Sequence, residues 1–180
     1  FRHFLAVMRN VRPARLPLYE HAISASSMEK VLGNKFAHLE DGDEADMREF
    51  FRRYCCFFRE MTYDVISYEV CVGWILPGRS ALGGGKGPIQ TRADFEEYPW
   101  AELAARYWKV SRPRFDAMAA ALPPGMKAVG GVGNGVFELA ESLVGLEYLP
   151  LMQVDDPRLY SDLFGAIGEL MCSIWREFMP

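Results

Sequence analysis

This chain is poor in metal-binding spacing. It has four cysteines, at 55, 56, 71 and 172, and three histidines, with no CxxC pair and no HxxxH. Neighbours such as Cys55 and Cys56 leave a helix in different directions and do not readily chelate one ion, so no zinc site is expected from these residues alone. The thiols read instead as reduced and mostly buried, in a cytoplasmic protein. A basic stripe is also missing. The 20 Lys and Arg are scattered through a chain of formal net charge -4, which argues against a nucleic-acid partner. No signal-peptide pattern or apolar run of membrane-spanning length is present, and no membrane partner is expected. The chain begins at Phe1, without a methionine, which suggests a trimmed start. The run Gly83–Gly84–Gly85–Lys86–Gly87 is no phosphate loop, because Lys86 precedes Gly87 and no helix start follows. It reads better as a mobile active-site loop.

What is present is ample for a core: 180 residues, half of them hydrophobic and 13% aromatic. The patterning predicts a short helix over Phe4–Asn10 and a strand from Leu16 to His21 or a little beyond. The serines at 24, 26 and 27 offer a cap to a helix that Gly33 stops. After Asp43, Met47, Phe50, Phe51, Tyr54, Phe57, Phe58 and Met61 recur at spacings of three and four, one apolar helix face. A second strand is predicted at Tyr63–Glu69, then the glycine-rich loop, a turn-like link over Asp94–Trp100 and a helix over 101–122 interrupted at Pro113. Pro123, Pro124 and Gly125 end that helix before a third strand, Met126–Asn134. Another helix starts near Val136, and Asp156 with Pro157 opens the last one, whose buried stripe runs from Leu159 to Trp175.

Strands alternating with helices point to a parallel α/β fold, in which ligands bind at the carboxyl ends of the strands. His21, Glu69 and Asn134 end the three predicted strands and would share one mouth. Gly131, Gly133 and Gly135 allow close backbone approach there, although they do not spell a dinucleotide fingerprint.

The stretches RLPLYEHAIS, YDVISYEV and DFEEYPW, and above all GGVGNGVFELAESLVGLE, resemble the uroporphyrinogen decarboxylase superfamily, which also holds the cobalamin-dependent methyltransferases. The resemblance implies a TIM (β/α)8 barrel of which this chain, a single domain over residues 1–180, supplies about the N-terminal half. A whole barrel usually needs about 250 residues. The second half, or a partner chain, would then be needed to complete the fold and cover its open sheet edges. Family patterns also mark departures. The two arginines that hold a tetrapyrrole in the decarboxylases fall at Ala22 and Ser26, their aspartate at Glu69, and their substrate-facing tyrosine at Ser142. Neither Ala22 nor Ser26 reproduces a guanidinium fork on a carboxylate.

The resemblance therefore implies an enzyme closer to a corrinoid-dependent methyltransferase, moving a methyl group from a methylcobamide to a thiol. Zinc, bound by ligands outside this segment, and a corrinoid as co-substrate would accompany that reaction, with a corrinoid protein as a possible partner. The alternatives are a cofactor-free decarboxylase of uroporphyrinogen or a smaller acid, and a non-catalytic corrinoid- or tetrapyrrole-binding protein. Glu69 and His21 are the catalytic candidates, and Tyr19, Cys71, Asn134, Glu138 and Ser142 the substrate-binding ones. Plainer roles stand beside these: a salt-bridged rim carboxylate for Glu69, a hydrogen-bonded wall histidine for His21, a small buried hydrophobe for Cys71, and a favourable charge at a helix start for Glu138.

Overall fold

The computed structural model describes residues 1–80 and 84–179. Their elements, in chain order, are helices α1 (Arg2–Met8), α2 (Ala25–Leu32) and α3 (Glu44–Glu60), strand β1 (Ile66–Glu69), helices α4 (Arg92–Glu97) and α5 (Trp100–Ala121), strand β2 (Ala128–Gly131), and helices α6 (Val136–Val144), α7 (Leu149–Asp155) and α8 (Pro157–Phe178). The chain divides into two compact units, one made of Phe1–Tyr68 and Ser111–Gly130, the other of Glu69–Val110 and the residues from Gly131 onward.

In the first unit the predicted caps form. Ser24 Oγ accepts the Ser27 N–H at 3.2 Å, and Gly33 closes α2 at φ 69°, a left-handed conformation that suits glycine. Asp43 accepts the N–H groups of Ala45 and Asp46 at 2.8 and 2.9 Å and starts α3. The apolar face of α3 then buries Phe50, Phe51, Tyr54, Phe57 and Phe58. Phe51 meets the Tyr68 ring of β1 edge-on at 4.8 Å, an arrangement favoured by aromatic quadrupoles. The Tyr54 hydroxyl donates to the Ser67 carbonyl at 2.7 Å, so α3 is fastened to the strand by polar as well as apolar contact.

Two buried carboxylates hold loops in the same unit. Glu29, 7% exposed, accepts the N–H groups of Phe36 and Ala37 at 2.7 and 2.9 Å and pairs with Lys35 at 3.0 Å. Those partners, Ala37 foremost, pull its pKa down to about 2. Asp64, 4% exposed, takes both guanidinium nitrogens of Arg15 at 2.8 and 2.9 Å and the Leu18 N–H at 2.9 Å. Burial alone would raise its pKa, but these bonds outweigh it and lower it.

This clamp explains the first departure from expectation. Leu16–His21 forms no strand. Pro17 has no N–H to offer a ladder, and the Leu18 N–H goes to a side chain. The segment lies in irregular structure with Leu16 80% exposed.

Among the described residues, only β1 and β2 pair, as a two-stranded sheet. Ile66 N–H bonds the Lys127 carbonyl at 3.0 Å and Val70 N–H the Gly131 carbonyl at 3.2 Å, a register that advances together and is therefore parallel. The expected (β/α)8 barrel, and its first half, are overturned: 60% of the described residues are helical, counting the 3-10 turns Ala37–Leu39 and Val72–Ile75, and their sheet is open, parallel and two-stranded.

In the second unit α8 is capped by Asp156, which accepts the Leu159 N–H at 2.9 Å. It buries Leu159, Leu163, Ile167, Leu170 and Ile174 and packs against α6 and α7. The glycine-rich loop is described from 84 onward, and residues 81–83 lie outside the described set. Gly87 and Ile89 donate to the carbonyls of Val144 and Leu143 at 3.0 and 2.9 Å, and Ser80 N–H donates to Ser142 O at 2.9 Å. A helix end leaves its last carbonyls without intrahelical donors, and here a loop supplies them. Gly87 is required for the approach, since a Cβ there would lie 2.2 Å from the Leu143 carbonyl.

Three smaller differences have local causes. Pro113 does not interrupt its helix; α5 runs unbroken through it. The bond forfeited at the Lys109 carbonyl falls on an exposed residue, where water can replace it. The link at Asp94 is helical as far as Glu97, because Thr91 and Asp94 make a reciprocal capping box. Helix α7 follows Gly145 without a side-chain cap to announce it.

Candidate ligand site at the strand ends

The second unit gathers the polar residues that follow both strands. Glu69 is half-buried at the last position of β1. The Tyr107 hydroxyl of α5, fully buried, donates to the next carbonyl, Val70 O, at 3.1 Å and fixes where the strand ends. Cys71 follows, half-buried. On the other chain segment, Gly133 adopts φ 69° and presses its backbone against that thiol: a Cβ there would stand 2.6 Å from Cys71 Sγ. Asn134 Oδ1 accepts the Gly73 N–H at 2.9 Å and ties the two segments together. Glu138, in the first turn of α6, reaches back to accept the Gly135 N–H at 2.7 Å.

The electrostatics of this cluster converge on Cys71. Burial pushes its thiol pKa up, Glu69 and Glu138 push it further, and Arg79 opposes them. A thiol so placed stays protonated at neutral pH and is a poor nucleophile. Two carboxylates from different elements therefore act on one half-buried point, with one guanidinium, Arg79, against them. Such a rim suits the recognition of a positive group better than the activation of a nucleophile.

The remaining sequence candidates sit elsewhere. Ser142 is inside α6, where its hydroxyl donates to the Glu138 carbonyl at 2.9 Å. Tyr19 and His21 belong to the first unit. Tyr19 is 45% exposed, packs against the Phe4 ring at 5.8 Å, and its hydroxyl lies 3.3 Å from His21 Nδ1. Arg79 and Tyr107 escaped the sequence reading: one sits in an irregular loop, and the other is an aromatic on a helix face with nothing local to mark its reach to a strand end. Among the described residues, no group of three or more His, Cys, Asp or Glu is placed to hold a metal ion.

No family model matches the chain, no curated protein matches it, and no solved structure matches it. The resemblance to the uroporphyrinogen decarboxylase superfamily is thereby corrected, together with what it implied. A two-stranded open sheet lacks the barrel mouth on which the methyltransferase, the decarboxylase and the tetrapyrrole-binding readings all depended. Zinc and the corrinoid had their grounds in that resemblance. No described helix is long and apolar enough to cross a membrane.

Proposed function

We propose that this chain is a small-molecule-binding domain whose second unit takes an amine or other organic cation at the strand ends. The observation that carries the reading is the placement of Glu69, at the end of β1, and Glu138, in the first turn of α6, beside the half-buried Cys71 thiol, where two carboxylates face one opposing guanidinium, Arg79. Two carboxylates from separate elements aim negative potential at one half-buried point, and a partly desolvated ammonium gains more there than in water. Asn134 and Gly133 give the point its shape, since both are held by contacts to the β1 side. With its thiol held protonated, the site is built for recognition.

Thermal-shift titration with aliphatic diamines, and with dicarboxylates of matched length as the control, tests the reading. The diamines are expected to raise the melting temperature, the dicarboxylates to leave it unchanged, and Glu69→Gln to abolish the diamine effect while leaving the circular dichroism spectrum intact. A response to dicarboxylates alone, or a diamine response undiminished in Glu69→Gln, overturns it.

A further inference from the structure

The first unit carries two surface features of opposite character. One is the ridge Val7–Arg12, in which every residue is exposed. Val7, Met8 and Val11 are 46%, 69% and 57% exposed, with Arg9 and Arg12 between and beside them. Helix α1, which opens the ridge, buries no residue at all. The first 19 residues contain four arginines and no acid, although the chain as a whole has a net charge of -4. Arg15 is committed to Asp64, whereas Arg9 and Arg12 have no ion-pair partner among the described residues.

The other feature is a groove of about 630 Å³ between the start of α3 and the middle of α5. Met47, Pro113, Ala117 and Ala120 form its apolar floor, and Asp43 and Asp116 stand on its rim. Arg48, also on the rim, is paired with Glu44, so those two charges cancel. Asp116 has no ion-pair partner among the described residues. The groove thus offers an apolar floor with the unpaired carboxylate of Asp116 on its rim, beside the Asp43 carboxylate, whose Oδ1 already caps α3, and the ridge offers apolar side chains with two unpaired positive charges.

We infer that the Val7–Arg12 ridge of one copy docks in the α3–α5 groove of a second copy. Val7, Met8 and Val11 fill the apolar floor, and Arg9 and Arg12 meet the carboxylates of Asp43 and Asp116. Complementary charge fixes the register, and apolar burial supplies the drive. Ridge and groove occur once each per copy, so two reciprocal contacts about a two-fold axis close the assembly as a dimer.

Sedimentation velocity on the full chain, over a range of concentrations and salt, tests the inference. The wild-type chain is expected to dimerise, more weakly as salt rises. Reversing the ridge (Arg9→Glu with Arg12→Glu) or the groove (Asp116→Lys) is expected to weaken the dimer roughly tenfold or more. The substituted positions are exposed, so circular dichroism should be unchanged. Mixing the two variant proteins should restore association, because each then supplies the charge that the other lacks. A wild-type chain that stays monomeric throughout, or variants that dimerise as well as wild type, overturns the proposal. So does wild-type binding to phosphatidylserine vesicles, lost in the ridge variant, without any dimer; that result would give the ridge to an anionic lipid surface.

Discussion

Glu29 in the first unit and Glu138 in the second are both glutamates on short helices, but their surroundings differ. Glu29 is buried and collects two backbone N–H groups and an ammonium. Glu138 is half-buried, and among the described residues its carboxylate takes one hydrogen bond, from the Gly135 N–H. A carboxylate saturated by its own chain has become part of the scaffold, and its depressed pKa records how much its charge is stabilised. A carboxylate with lone pairs to spare, beside a protonated thiol, keeps capacity for something else. The first unit is thus built for permanence around its aromatic face, and the second keeps polar capacity at its strand ends.

The strongest way to press that contrast is to damage the aromatic face. Phe51 is fully buried and touches Phe50, Tyr54 and Tyr68. Phe51→Ala is expected to lower unfolding free energy by about 3–5 kcal/mol, read from urea denaturation. A loss below about 1 kcal/mol would mean that the cluster is not the anchor of its unit.

Gly133→Ala comes next, with an expected loss of about 1–3 kcal/mol, because it combines a left-handed backbone with a collision against Cys71 Sγ. The double variant with Cys71→Ala should recover the steric part and retain the backbone part. Equal stability of single and double variants would show that the thiol does not set the spacing of the site.

The gentlest probe is pH. The folded Glu29 pKa, about 2, lies below the ordinary 4.5, so its stabilisation is fully present above 4.5 and is lost as pH falls from there towards 2. Glu29→Gln should flatten the stability profile in that window, measured by thermal melts at stepped pH. An unchanged acid limb would assign acid sensitivity to another group, such as Asp64.

These contrasts also show what could be read from the residues. Ser24, Asp43 and Asp156 were legible as helix starts, since such a cap is a hydrogen bond to a residue two or three positions away, and Gly33 as a helix end, since glycine takes the left-handed conformation there. The stripes of α3 and α8 were legible where helical spacing and burial coincide, although Met61 and Trp175, which the spacing assigns to them, are exposed. The strand at Leu16–His21 was misread: its apolar alternation is real, but Pro17 and the buried Asp64 decide its conformation, and Asp64 is remote in sequence. From the second predicted strand the last four residues survive as β1, and from the third the middle survives as β2. In the site, Glu69, Cys71, Asn134 and Glu138 were named from the sequence and meet within one unit. The family reading drew on short local stretches, and such stretches do not count how many strands a sheet will hold.

The loop that closes α6 is irregular in shape and regular in its bonding. Backbone amides in irregular surface segments ordinarily trade their protons with water quickly. Those of Ser80, Gly87 and Ile89 are bonded to the last carbonyls of a helix whose neighbouring residues are buried. Their exchange with deuterium is therefore governed by the opening of α6, so a stretch without regular structure should keep time with the helix it completes.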